Sequence, residues 1–131
     1  MKRKPRYVTI DEFREFNPWL FSLKSCRVYD GDTLMEMVLD LGFGVSFETT
    51  GRLFGINAPE VRGKTKRDGV KSRDWLKAAL DAARAVHVGT VTEKVSRQKG
   101  KYGRWLVTVW ADGVNLNDEM VRIGYAKRAK Y

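Results

Sequence analysis

Short stretches of alternating apolar and polar residues, each closed by a turn signal, constrain this chain more than any other feature. Residues 22–29 read as a strand. Residues 34–41 alternate, which predicts Met35, Met37, Leu39 and Leu41 on one face and Glu36, Val38 and Asp40 on the other. Gly42-Phe43-Gly44 is a turn signal, and residues 45–49 read as the return strand. After Gly51, residues 52–56 form another short strand ended by Asn57-Ala58-Pro59, and residues 62–68 are a basic loop. Residues 86–95 and 105–110 are strands joined by a polar hairpin region at 96–103.

Helical spacing interrupts this pattern in three places. Thr9 and Glu12 fit a capping box, with Ile10, Phe13 and Phe16 as the apolar side before Pro18 stops the helix. Over residues 69–85, Ser72, Trp75, Leu76, Ala79, Leu80 and Ala83 recur at three- and four-residue spacing. Asn117 is the expected cap of a last short helix carrying Met120, Val121 and Ile123, with Gly124 as its stop. The expected class is α+β, mainly β. A five-stranded Greek-key barrel of the oligonucleotide-binding (OB) type with about three packed helices fits the strand count and length, although the pattern alone leaves other α+β folds open. Residues 1–21 are expected to be a basic segment and short helix, and residues 22–131 one globular domain.

A chain of 131 residues with 43% hydrophobic residues can close a core without disulfides or a structural zinc, and it holds a single Cys. No apolar stretch is long enough to span a bilayer. The basic start is followed by Asp11, Glu12, Arg14 and Glu15 instead of an apolar signal region, so a cytoplasmic protein without membrane association is expected. A monomer is the expected state.

The 25 Lys and Arg exceed the 16 Asp and Glu, for a net charge of +9. Four bases lie in residues 2–6, six in 62–73, five in 94–104 and three in 127–130. Between positions 30 and 60 the balance reverses, with six carboxylates and only Arg52 opposing them. A basic chain with an acidic middle suits a phosphate-bearing partner and a cation, while charge runs are also common on solvated faces.

Three motifs carry chemistry. Asp30-Gly31-Asp32-Thr33 can offer carboxylate oxygens to a hard cation, or simply form an Asp-Gly hairpin turn; the sixth and twelfth positions, Met35 and Leu41, exclude an EF-hand. Arg52, followed eight residues on by Glu60, pairs a phosphate clamp with a carboxylate able to take a proton from water, or makes a surface ion pair. Lys101-Tyr102-Gly103-Arg104 sets a second arginine directly before a strand, or is only a basic hairpin. Two arginines and a metal on one phosphate can neutralise the charge of a five-coordinate phosphorus transition state.

The order of these motifs, together with Asp112-Gly113, Asn117, Val121-Arg122 and Gly124-Tyr125-Ala126, resembles the staphylococcal nuclease (thermonuclease) family from about Cys26 to about Lys127. The resemblance implies a calcium-dependent nuclease on an OB barrel. It implies that Asp32, Asn57 and the backbone carbonyl of Ala58 ligate calcium, and that Glu60 is the general base. Arg52 and Arg104 would hold the phosphate, and Lys101 and Tyr102 a terminal phosphate. The implied substrates are DNA and RNA, single strands preferred, cut to 3′-phosphate and 5′-hydroxyl ends. The best-studied members carry aspartate at Asn57 and threonine at Ala58. Asparagine keeps an oxygen ligand but removes a charge, so a weaker calcium site is expected. A non-catalytic nucleic-acid-binding module is the alternative. The retained Asp32, Arg52, Glu60 and Arg104 favour the enzyme, because carboxylates beside a phosphate repel it unless a cation intervenes. His87 lacks a partner at metal-ligand spacing, and Cys26, Trp75, Trp105 and Trp110 read as structural.

Overall fold

The computed structural model describes residues 9–11, 19–90 and 104–129. The elements run β1 (Leu20–Asp30), β2 (Thr33–Gly42), β3 (Val45–Leu53), β4 (Ile56–Asn57), a 3-10 turn (Gly63–Thr65) and α1 (Lys66–Ala82). They continue through β5 (Val86–Thr90), β6 (Trp105–Ala111), β7 (Val114–Asn115), α2 (Leu116–Arg122) and β8 (Lys127–Arg128). Strands β1, β2, β3, β5 and β6 form the expected barrel: the order β3-β2-β1-β5-β6 is closed by a β3–β6 pairing. Two helices of a full turn or more lie among the described residues, against about three expected. Most of the expected N-terminal helix and the hairpin region at 96–103 fall outside them. No helix among the described residues is long and apolar enough to cross a membrane.

Closure rests on three parallel pairs, Gly51 with Trp105, Arg52 with Leu106 and Leu53 with Val107. Phe54 N–H continues it by donating to Val107 O at 2.7 Å. Asn117 locks the seam: its amide donates to Phe54 O and Val107 O, both at 3.0 Å, while its oxygen accepts from Val109 N–H at 3.1 Å. Asn117 was expected to cap the last helix; the cap is Asn115, whose side chain accepts from Asp118 N–H. The two asparagines are indistinguishable to a propensity argument, and burial decides between them, since Asn117 is 3% exposed and satisfied on three sides.

Two further expectations change for local reasons. Strict alternation in β2 fails at Glu36, whose φ is +52°. Arg27 pairs with Met35 but Ser25 with Val38, so β2 carries an extra residue there. This bulge turns Met35 outward and buries both Leu34 and Met37. Burying one such side chain is worth about 1.5–3 kcal/mol, against about 1–2 kcal/mol for a left-handed non-glycine residue. Leu41, expected on the buried face, is exposed near the end of β2. Gly51 does not break the strand. A Cβ there would stand 2.8 Å from Met37 Sδ and 3.2 Å from Val107 Cγ2, so glycine lets β3 cross the packed interior without interruption.

The β6–β7 hairpin turns on Asp112 and Gly113, with φ of +49° and +84°. The Asp112 carboxylate accepts from the backbone N–H groups of Arg84 and Ala85. Those bonds, from Ala85 first and Arg84 second, hold its pKa below 3.8. A lowered folded-state pKa stabilises the fold above the ordinary aspartate range, and the contribution is lost as pH falls through the folded value. Asp112→Asn keeps the turn and an acceptor but no charge. Its melting temperature should lie below that of the wild type at pH 7, and the gap should narrow as pH falls below the ordinary aspartate range; a gap constant across pH would show that the charge is irrelevant.

Candidate nuclease site

At the mouth of the barrel, β1 and β2 turn at Gly31 and Asp32, with Asp30 paired to Thr33. The turn reading of this motif is the one observed, and the hairpin carries both carboxylates. Asp32 is 7% exposed and fully engaged. Its Oδ2 accepts Ala58 N–H at 2.8 Å and lies 3.3 Å from Arg52 Nη1. Its Oδ1 accepts the Thr33 hydroxyl at 3.0 Å. Asp30 accepts Asp32 N–H, and burial together with the adjoining Asp32 carboxylate pushes its pKa up to about 7. Two touching, poorly hydrated carboxylates call for positive charge beside them.

Arg52 supplies one such charge. Its Nη1 donates to Leu53 O at 3.1 Å and Ile56 O at 2.9 Å, and its Nη2 to Asn57 Oδ1. This grip holds the guanidinium on the cleft wall. Asn57 is itself held through its backbone, because β4 pairs with β8, Asn57 opposite Lys127.

The cleft, about 550 Å³, is lined by Asp32, Arg52, Asn57, Ala58, Glu60 and Arg104. All six sequence-derived candidates among the described residues thus meet in one place. Lys101 and Tyr102 lie outside the described residues. Asp30, Tyr29, Thr33, Met35 and Thr50 line it too. Thr50 was missed because Gly51 reads in the sequence as a strand break; in the continuous β3 it lies two before Arg52 on the same face. Met35 was hidden by the Glu36 bulge, which no alternation rule anticipates.

The α1 helix seats Glu60. It begins at Lys66, a turn before the expected start at Gly69, and so takes in part of the expected basic loop. Thr65 Oγ1 donates to Glu60 O at 2.9 Å. Gly69 packs so closely that an added Cβ would stand 2.1 Å from Glu60 O and 2.8 Å from Val61 N. One turn on, Ser72 faces Gly31, whose own added Cβ would meet Ser72 Cβ at 2.8 Å and Ala58 Cβ at 2.7 Å. The small residues of one helix face therefore receive both the acid turn and the Glu60 peptide.

Apart from the Met35 thioether, the groups in the cleft able to ligate a metal are oxygens, from carboxylate, amide, hydroxyl or carbonyl. That chemistry fits a hard cation of the calcium type and does not suit zinc. Asp30 and Asp32 bring the carboxylates. Among the described residues no group of three or more His, Cys, Asp and Glu is placed to hold an ion by itself, so an ion there would need an amide or backbone oxygen as well. Cys26 takes no part: burial and Asp81 raise its thiol pKa to about 11.

An OB barrel carrying paired acids and two arginines in one cleft defines a nuclease-like domain. Residues 50–131 match the staphylococcal nuclease homologue family, and the chain belongs to it. The match takes in Arg52, Asn57, Ala58, Glu60 and Arg104; Asp30 and Asp32 precede it and join them through the fold. No curated protein matches the chain.

Helix propensity alone makes Gly69→Ala stabilising by about 1 kcal/mol. The contact with Glu60 predicts the opposite sign, a loss of about 1–3 kcal/mol from overpacking. Urea unfolding of the variant measures which term wins.

Proposed function

We propose that this protein is a calcium-dependent nuclease that hydrolyses phosphodiester bonds of DNA and RNA. The observation that carries the reading is the convergence of Arg52, on β3, and Arg104, the residue before β6, on the cleft that also holds Asp32 and Glu60. Calcium would be held by Asp32, Asn57 and the Ala58 carbonyl, and when bound it supplies positive charge to the phosphoryl oxygens. Arg52, gripped on several oxygens, offers a preorganised guanidinium to the phosphate, and Arg104 reaches the cleft from the residue just before β6. Glu60 accepts a proton from the attacking water. The new P–O bond forms as the bond to the 5′-oxygen breaks, leaving a 3′-phosphate and, after the departing oxygen takes a proton from solvent, a 5′-hydroxyl. A single strand bends into a cleft of this size more readily than a duplex, which favours single-stranded substrates.

Cleavage of labelled single-stranded DNA and RNA, with calcium, magnesium or chelator, tests this. Calcium-dependent cleavage reduced about 10²–10⁴-fold in Glu60→Gln is expected for loss of a general base. Salt-sensitive binding without cleavage in any metal would instead assign the domain to non-catalytic nucleic-acid binding.

Asn57 generates a second expectation. One more unit charge beside the ion is worth several kcal/mol at an effective dielectric constant of about 20, before desolvation. Asn57→Asp should therefore tighten calcium binding by at least about tenfold in titration calorimetry; equal affinities would show that ligand charge does not limit the site.

A further inference from the structure

Beyond the cleft, the basic cluster that follows Glu60 has no task in the chemistry above. Arg62, Lys64, Lys66, Arg67 and Lys71 are all exposed. None of the five has a carboxylate partner among the described residues. Elsewhere Arg27, Arg73, Lys77, Arg122 and Arg128 each pair with an acid.

The position of this charge is unfavourable for the fold alone. Lys64 lies in the 3-10 turn and Lys66 and Arg67 in the first turn of α1, where the helix macrodipole disfavours cations. Thr65 makes no capping hydrogen bond to the helix, its hydroxyl being engaged by Glu60 O, and Asp68 is the one acid in that turn. Like charges four residues apart, such as Arg67 and Lys71, repel further. A polyanion laid across them removes both penalties.

The ridge is also continuous with the cleft. Arg62 and Lys64 follow Glu60 by two and four residues. The Thr65 hydrogen bond and the Gly69 contact hold the start of α1 directly against the Glu60 backbone. A strand whose phosphate sits between Arg52 and Arg104 meets these cations as it leaves on the Glu60 side.

We propose that the ridge of Arg62, Lys64, Lys66, Arg67 and Lys71 is a phosphate-backbone track that holds the nucleic-acid strand flanking the scissile bond. This rests on the reading that the cleft takes nucleic acid and adds where the rest of the strand runs. Contacts to phosphates carry no base information, so the track raises affinity for long strands without sequence preference.

The test is equilibrium binding of fluorescent single-stranded oligonucleotides of graded length, with chelator present, across a salt series. For a single strand, log K falls with log salt by about 0.7 per neutralised phosphate. The triple variant Lys64→Ala, Lys66→Ala and Arg67→Ala should therefore flatten the slope by about 2. It should also lose the gain in affinity between short and long oligonucleotides. A control with the same charge loss at ion-paired sites, Arg27→Ala, Lys77→Ala and Arg122→Ala, should keep both. An unchanged slope in the ridge variant, or an equal flattening in the control, overturns the track. Because binding is read without metal, the result is independent of the cleavage assay: absent cleavage with a ridge-dependent slope removes the enzyme and leaves the track. Calcium-dependent cleavage with a ridge-independent slope does the reverse.

Discussion

The short parallel seam between β3 and β6 is the constraint on which the site depends. Only three residue pairs close the barrel there, yet they set Arg52 opposite Leu106 and so bring Arg104, two residues before Leu106, to the same mouth. A parallel pairing this short has few ladder bonds of its own. The neutral, buried Asn117 supplies three more, reaching from α2 into backbone groups on both strands. Replacing it with an apolar residue would cost about 1–3 kcal/mol for each of those groups left unsatisfied, although Val107 O keeps the Phe54 N–H. The seam that brings both arginines to one cleft is therefore buttressed by a residue that hydrogen-bonds to neither.

On the opposite side of the cleft the same logic operates through close approach. Gly31 and Gly69 are small because backbones must nearly touch: Gly31 against Ser72 and Ala58, Gly69 against Glu60. The helix α1 links the acid turn to the peptide of Glu60, and its Leu76 anchors it in the core. The C-terminal segment completes the frame. β8 pairs with β4 beside Asn57, and Tyr125 O accepts the Ser72 hydroxyl at 2.6 Å while its ring packs on Trp75.

Much of this was legible from residue order. Turn signals marked the Asp30–Thr33 and residue 42–44 hairpins, helical spacing marked α1 through Leu76 and Leu80, and Gly124, with φ +92°, ends the last helix as expected. The site was legible as separate motifs, each ambiguous alone. What misled was local: the Glu36 bulge reversed the facing of Met35, Gly51 looked like a break, and Asn117 looked like a cap. In each case a tertiary contact outweighed a local preference of about 1–2 kcal/mol.

The division has a physical basis. Periodicity and turn chemistry act within a few residues, so the linear chain by itself determined the barrel strands and the two main helices, the basic and acidic zones, and the residue types able to meet phosphate and cation. Whether those residues meet depends on pairings between strands distant in the chain, whose register is decided by burial. Only the tertiary structure decided that Asp32 lies against Arg52 and Ala58, that Arg104 shares a cleft with Arg52, and that α1 presses its glycine onto Glu60, because each is a packing solution that no local preference encodes.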